Sequence, residues 1–538
     1  MGHGSWREEP AHEMPYMPRQ PPTMMLCHAT VLTMDRQQPR AEAVAWRGRR
    51  IIAVGRDMEV LRLRGRDTTV VDCRGATVVP GFIDAHLHFR AYVGTLLGID
   101  CSPRRVRSLE ALQMLLRQQA QGRPPGQWLV GYGYDDFALA ERRHPTRWDL
   151  DVATPQHPVR LAHRSRHAWV LNSLALAQLG ITREFVAPPG GVVEREVASG
   201  EPTGLLIDMD GYLRQRLPPP MTSEAFQQGV RRASQSLLAA GVTTMQDASV
   251  ANDLAAYERF CTWMANGDLG LHLSVLLGAS SLPELVDAGL KSGEGAPSLH
   301  VYGIKIRLDE GAGALYPPQD RLNAQVWESH RHGFPVAIHV VDLPALVSAL
   351  HAIRLAQERL PRPDLRHRLE HCALCPEVCL DELADLRVAV VTQPAFLWHH
   401  GPGYLAEIDP AQQPWLYRVK SLLARGVPVA GSSDAPVVPP HALEGIQAAV
   451  SRLTSDGQLI GPAERVSVGE ALWLFTQGAA WACGLEGEVG SITPGKLANL
   501  VILEADPTQV PAAEIGHIPV HMTLVDGVVR WSAAGCRL

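Results

Sequence analysis

The chain has 538 residues, of which 46% are hydrophobic and 20% charged, an ordinary composition for a soluble globular protein. Its formal net charge of -6 argues against a general nucleic-acid binder, which would normally be basic. No apolar run is long enough to span a bilayer, so no membrane partner is expected. The nine cysteines are scattered without a framework pattern, which predicts reduced thiols and a cytoplasmic protein.

The two ends of the chain differ from its middle. The segment 1–22 is rich in Pro, Met and Glu and lacks the apolar region of a secretion signal, so we expect a disordered N-terminal extension. Residues 23–80 and 488–538 are both β-rich, with an Asp-Gly hairpin turn at 526–527. Because the two β-rich ends flank an α/β middle, we expect them to pack together as one small, β-sandwich-like composite domain.

The middle, residues 81–487, alternates strand-like and helix-like segments, as a parallel α/β barrel does. The Arg- and Pro-rich stretch at about 92–240 is interpreted in part as an insertion. The remaining pattern contains eight candidate strands, the number that a (β/α)₈ TIM barrel requires. These strands are predicted at 82–88, 243–247, 271–277, 303–309, 336–340, 368–372, 389–393 and 428–434.

The first of these strands, 82–88, reads FIDAHLH and ends in two histidines. Alternate residues of a strand point to the same face, so His86 and His88 would present their imidazoles side by side. Imidazole is the usual nitrogen ligand of zinc and similar divalent metals. In a chain with 22 histidines, a pair of surface histidines is the alternative interpretation.

Further polar side chains lie at or near the ends of other predicted strands. Each alone has a simpler explanation, such as a buried core histidine, a surface lysine or a turn aspartate. Together they favour one site, because the carboxyl ends of barrel strands converge on the mouth where active sites lie. The six candidates are His86, His88, Lys305, His339, His371 and Asp434.

Several of these residues lie in longer motifs. The segments are VPGFIDAHLH at 79–88, GIKI at 303–306, VAIH at 336–339, RHRLEH at 366–371 and GSSDAP at 431–436. In these motifs the chain resembles the amidohydrolase superfamily and, within it, the YtcJ-like group that includes N-substituted formamide deformylases. The resemblance extends over about residues 26–531. It implies a metal-dependent hydrolase that cleaves an amide, N-acyl or N-formyl carbon–nitrogen bond, other than a peptide bond, in a small-molecule substrate.

The resemblance also implies a ligand set for one or two divalent metals. His86 and His88 would bind a first metal together with Asp434, and His339 and His371 would bind a second. Zinc suits these nitrogen and oxygen ligands best. A metal-bound hydroxide would attack the substrate, and Asp434 would act as the catalytic residue that moves the proton to the leaving nitrogen.

Lys305 would be carboxylated by carbon dioxide, so that its carbamate bridges the two metals. A carbamate forms only on a neutral amine, and burial beside cations lowers the pKa of a lysine. His167, which matches a histidine of the group, and His399, in a predicted mouth loop, are candidate substrate contacts. The sequence leaves the oligomeric state open, with a homodimer among the options.

Two alternatives remain at this point. On the same fold, a mononuclear deaminase would use one metal and an uncarboxylated Lys305. A catalytically inactive barrel would bind a small molecule without turnover. The mouth segments at 309–313 and 340–343 depart from the pattern of the group, so the substrate itself is not predicted.

Overall fold

The computed structural model describes residues 20–217, 222–296, 298–311 and 314–536, with side chains described at all of these except 309–311 and 314. Most of the extension predicted at 1–22 lies outside these ranges, so its disorder stays a prediction. In the described part of the chain, no helix is long and apolar enough to cross a bilayer.

A sheet of eight parallel strands in chain order forms the centre of the fold, and the sequence predicts all eight. Two backbone hydrogen bonds join its ends, from Asp434 N–H to the His86 carbonyl and from His88 N–H to the Ala435 carbonyl, both 2.8 Å. The sheet therefore closes into a barrel of the TIM type. Its strands are Phe82–Leu87, Val242–Asp247, His272–Gly278, Leu299–Ile306, Val336–Val340, Arg368–His371, Ala389–Thr392 and Val429–Gly431.

The barrel strands are almost continuously buried, because a parallel barrel is covered on both faces. All eight residues of Leu299–Ile306 are buried, for example. Outside the barrel, the helix Ser223–Ala239 packs Val230, Ala233 and Leu237 inward on one face, and the side chain of Thr222 caps its first turn by accepting from Ala225 N–H. The sequence therefore encodes both layers through its apolar pattern.

The described α-helices extend over the whole chain, from the N-terminal β-rich region to the last barrel unit. They are Asp57–Leu61, Phe89–Leu97, Leu109–Ala120, Arg147–Asp151, Ser173–Leu179, Asp210–Arg216, Ser223–Ala239, Leu254–Ala265, Leu282–Asp287, Gln319–Arg331, Leu343–Arg359, Glu377–Asp385, Ala395–Glu407, Lys420–Ala424, Ala442–Ser451, Val468–Leu474 and Gln477–Ala482.

A second sheet forms between the first two barrel strands, within the predicted insertion. Its strands, in spatial order, are Val192–Arg195, Pro202–Ile207, Ala168–Leu171, Val159–His163, Leu129–Tyr134 and Ile99–Asp100. The last three of these are mutually parallel and the others antiparallel. The insertion therefore has parallel strand ends of its own.

Two further sheets contain the ends of the chain. Thr77–Pro80 pairs antiparallel with Leu500–Leu503, which places N-terminal and C-terminal segments in one sheet. Trp46 adds a contact between the ends, since its indole N–H donates to the Gly527 carbonyl at 3.1 Å. In spatial order, the sheets are Arg50–Gly55, Ala43–Arg47, Met24–Cys27 and Thr69–Asp72, and Val528–Ser532, Val520–Val525, Leu500–Leu503, Thr77–Pro80, Thr30–Leu32 and Arg40–Ala41.

Candidate metal centre

Three of the predicted ligands meet where the first and eighth barrel strands end. His88 Nε2 lies 3.1 Å from Asp434 Oδ1, and His86 Nε2 lies 3.5 Å from the same oxygen. One nitrogen or oxygen atom from each of the three residues lies within 4.8 Å of the others. Residues from the first and the eighth strand of the barrel therefore converge at one place.

The next two predicted ligands continue the same cluster. His371 Nδ1 lies 3.9 Å from Asp434 Oδ2, and His371 Nε2 lies 2.9 Å from His339 Nδ1. The His371 Nδ1–H donates to Gln393 Oε1 at 2.8 Å, which leaves Nε2 without a proton and facing His339. The fifth and sixth strands thus extend the cluster away from Asp434.

Lys305 completes the predicted set on the fourth strand. Its side chain is buried, and Nζ makes no hydrogen bond to a described residue. Burial lowers the pKa of this amine to about 8, although the carboxylates of Glu370 and Asp434 oppose the shift. At pH 7 about one tenth of the amine is then neutral, far more than for an exposed lysine with the ordinary pKa.

An unusual backbone conformation occurs at two of the candidate ligands, Asp434 and His371. Asp434 has a φ of +56° and His371 a φ of +69°, which is the left-handed region that L-residues rarely adopt. Asp84 fixes the loop before Asp434, because its carboxylate accepts hydrogen bonds from both the backbone N–H and the hydroxyl of Ser433. Such strain commonly occurs where a fold holds functional groups in place.

The buried pair Arg368 and Glu370 orients His86, and the sequence analysis missed this role. Glu370 accepts from Nδ1–H of His86 and also receives the Arg368 guanidinium at 2.6 Å. Because Nδ1 carries the proton, Nε2 of His86 presents its lone pair toward Asp434. The available signal is the Arg-x-Glu-His pattern at 368–371, which places two charged residues on one face of a buried strand.

The electrostatics of the cluster suit a bound cation. Burial lowers the pKa of His86 to about 3, with Lys305 adding to the shift, so the imidazole is neutral. Burial alone would raise the pKa of the Asp434 carboxyl, but the contact with His88 and the nearby imidazoles lower it overall. His86 Nε2, Lys305 Nζ and Asp434 Oδ1 are buried and make no hydrogen bond to a described residue. Such orphaned donors and acceptors require a partner, and these types fit a divalent metal.

His167, a predicted substrate contact, lies beside this cluster. Its ring centroid is 5.9 Å from that of His339. The His167 Nδ1 lies 2.7 Å from Asp208 Oδ1, and Arg307 donates to the same carboxylate oxygen at 2.7 Å. Two residues that sequence reasoning did not identify therefore orient this histidine from different loops.

His399, the other predicted substrate contact, lies in the helix Ala395–Glu407, so the prediction that it lies in a loop is wrong. Its Nε2 lies 2.9 Å from Glu444 Oε2. Its neighbour His400 is buried, and neither ring nitrogen makes a hydrogen bond to a described residue. Burial lowers the pKa of His400 well below its usual value, so this imidazole is neutral. The substrate role of His399 stays a prediction.

Comparison with known proteins agrees with the fold and the motifs. The model of the amidohydrolase family matches residues 69–530. An N-substituted formamide deformylase of Arthrobacter pascens is 30% identical over 95% of this chain and 99% of its own length. A putative amidohydrolase YtcJ of Bacillus subtilis is 28% identical over 86% of this chain and 90% of its own length.

A solved structure gives the same fold. An uncharacterized metal-dependent hydrolase from Pyrococcus furiosus superposes with a TM-score of 0.69 and 24% identity, covering 90% of this chain and all of that one. The family model and the deformylase relative confirm the family that the sequence predicts. The chain belongs to the amidohydrolase family, and it is a metal-dependent hydrolase of carbon–nitrogen bonds other than peptide bonds.

Proposed function

We propose that this enzyme hydrolyses an N-formyl or other N-acyl group on a small amine, at the cluster where the barrel strands end. The observation that carries this proposal is the convergence of His86, His88 and Asp434 from the two ends of the barrel sequence, with ligand atoms within 4.8 Å. The deformylase of Arthrobacter pascens, 99% of whose length the chain matches, supports the substrate class.

His86, His88 and Asp434 would hold a first divalent metal, and His339 and His371 a second. Zinc fits a set of imidazole and carboxylate donors best. A metal held there supplies Lewis acidity, which lowers the pKa of water and polarises a carbonyl oxygen. The neutral state of His86 and the lone pair of its Nε2 are the form in which an imidazole binds a metal.

Lys305 would bind carbon dioxide as a carbamate. The neutral amine forms a nitrogen–carbon bond to carbon dioxide and loses a proton, which gives an anion with two oxygen ligands. The buried Nζ without a hydrogen-bond partner and its lowered pKa support this assignment. The uncarboxylated lysine would instead leave an ammonium group buried among metal ligands, at a large electrostatic cost.

Asp434 would move the proton during hydrolysis. Its lowered pKa keeps the carboxylate ionised at neutral pH, so Oδ1 accepts the proton from the attacking water. The same carboxyl then donates that proton to the leaving nitrogen, which departs as a neutral amine while the acyl group leaves as a carboxylic acid. His167, fixed by Asp208 at 2.7 Å, would bind the substrate at the edge of this centre.

The experiment combines metal removal with a substrate panel. Protein stripped with a chelator should be inactive, and zinc should restore hydrolysis of N-formyl and N-acyl amines with amine and carboxylic acid in equal amounts. Asp434→Asn with the same metal content is the matched control and should remain inactive. Zinc-loaded protein that cleaves no compound of the panel would contradict the proposal, as would release of ammonia from amines, the outcome expected of a deaminase.

Two further proposals concern the domain boundaries and the cellular location of the protein. We assign residues 23–80 and 488–538 to one β-sandwich-like domain, supported by the antiparallel pairing of Thr77–Pro80 with Leu500–Leu503, and residues 81–487 to the barrel with its insertion. A cytoplasmic location is supported by the cysteines. All nine lie in the described ranges, and none forms a disulfide.

A further inference from the structure

A second group of metal-binding side chains lies in the insertion, apart from the residues assigned above. Asp135 and Asp136 follow the strand Leu129–Tyr134, and His163 ends the neighbouring strand. The two strands are parallel, and Tyr134 pairs with His163 in their register. Ligands of parallel sheets bind beyond the carboxyl ends of the strands, which is where these side chains lie.

In this group, called the insertion cluster (Asp135, Asp136 and His163), the side chains lie within contact distance of one another. His163 Nε2 lies 3.0 Å from Asp136 Oδ1, and His144 Nε2 lies 3.7 Å from Asp136 Oδ2. One ligand atom from each of Asp135, Asp136 and His163 lies within 4.8 Å of the others. Two imidazoles therefore approach the same carboxylate from two sides.

His163 carries the strongest sign of a missing partner. Its side chain is only 10% exposed, and Nε2 makes no hydrogen bond to a described residue even though Asp136 Oδ1 is 3.0 Å away. The ring nitrogen therefore lies beside the carboxylate without being aligned with it. His86 Nε2 shows the same combination, 3.5 Å from Asp434 Oδ1 and without a hydrogen bond.

Both histidines beside Asp136 are held through their other ring nitrogen. His163 Nδ1 lies 2.8 Å from the hydroxyl of Ser165, and His144 Nδ1 lies 3.0 Å from the hydroxyl of the buried Tyr134. The backbone N–H of Ser165 also donates to His163 Nδ1, at 3.3 Å. Outer partners fix the orientation of a histidine ring, and here they turn Nε2 of both rings toward Asp136. The cluster thus has the supporting contacts of a built site.

The charge of the cluster is compatible with a cation. Asp135 and Asp136 contribute two negative charges, and Arg164, with Nε 2.9 Å from Asp135 Oδ2, contributes one positive charge. The two carboxylates outnumber the one guanidinium, and an imidazole nitrogen with two carboxylate oxygens is a donor set that zinc accepts. We propose that Asp135, Asp136 and His163 bind a divalent metal of the zinc type, separate from the catalytic centre, with His144 contacting Asp136 from outside the ligand set.

Zinc content measured on the full-length protein tests this site. Wild-type protein and Asp136→Ala are equilibrated with zinc alone, dialysed, and analysed for metal per chain. We expect the variant to lose about one equivalent. His521→Ala, which removes a half-buried histidine 3.4 Å from Glu504, is the matched control and should lose none. Circular dichroism verifies that each variant is folded.

A second parent variant distinguishes zinc bound at this site from zinc bound at the proposed catalytic centre. The double variant His86→Ala/His88→Ala removes two ligands of that centre, and adding Asp136→Ala to it should lower the zinc content by about one further equivalent. His144→Ala, at a half-buried position, should weaken zinc binding in the same background. Equal zinc content with and without Asp136→Ala, in folded protein of both backgrounds, would overturn the proposal whatever the hydrolytic activity is.

Discussion

The barrel-mouth cluster (His86, His88 and Asp434) and the insertion cluster (Asp135, Asp136 and His163) both place imidazoles beside a carboxylate at the ends of parallel strands. They differ in burial and in the groups that contact the other ring nitrogen of their histidines. At the mouth, His86 and Glu370 are fully buried, and a carboxylate holds the imidazole. In the insertion, Asp136 is 30% exposed, and the neutral hydroxyl of Ser165 holds His163. A carboxylate partner raises the basicity of a metal-binding imidazole more than a hydroxyl does. Parallel strand ends thus bring candidate ligands together, whereas the residues behind them set how firmly a metal would be held.

The largest expected effect comes from the mouth cluster. Asp434→Asn should lower kcat by about 10³-fold or more, because proton transfer and charge stabilisation in the transition state both depend on this carboxylate. Steady-state kinetics on a cleaved N-acyl amine, with metal content measured in parallel, tests this. A near-normal kcat in the metal-loaded variant would contradict the assigned role.

Glu370→Gln removes the carboxylate that contacts His86, which is the feature that the insertion cluster lacks at His163. The amide removes the negative charge behind His86 and leaves the buried Arg368 without its ion-pair partner. We expect zinc affinity to fall about 10–100-fold, since loss of such outer partners typically has that effect. Competition with a chromophoric chelator measures the affinity. Ser165→Ala in the insertion is the matched change and should have a smaller effect, so equal losses would break the comparison.

His167→Asn tests the edge of the mouth cluster. Asparagine preserves a polar group near Nδ1, toward Asp208, but removes the Nε2 side of the ring. We expect KM to rise about tenfold with a smaller change in kcat, which is about 1.4 kcal/mol of lost binding. His399→Asn is the control and should change KM less, because its Nε2 already contacts Glu444. A larger effect at His399 would reverse the two assignments.

His367 is a buried histidine whose ring contacts His330 and the backbone N–H of Val336. Burial lowers its pKa to about 3, with His330 adding to the shift, so only the unfolded chain binds the proton between that value and the ordinary 6.5. Stability is therefore lost as the pH falls below 6.5, by about 1 kcal/mol between pH 6.5 and 5.5. Denaturant unfolding of metal-free protein should show a shallower pH dependence in His367→Asn, and an unchanged dependence would contradict this.

The sequence predicted the eight barrel strands and six candidate ligands because both signals are local. Buried parallel strands are continuous apolar runs, and each candidate ligand lies at or near a strand end. Pairings between distant segments could not be predicted in this way. The contact of His86 with Glu370 joins residues 284 apart, and that of Arg307 with Asp208 joins residues 99 apart. The insertion cluster was missed for the same reason, since its residues come from separate segments.

The proposed function requires His86, His88 and Asp434 to hold the metal of this hydrolase together. Anomalous X-ray diffraction at the zinc absorption edge, from zinc-loaded crystals of active protein, tests it most directly. We expect an anomalous peak in contact with His86 Nε2, His88 Nε2 and Asp434 Oδ1. Active crystals with zinc elsewhere and no peak beside these three atoms would contradict it.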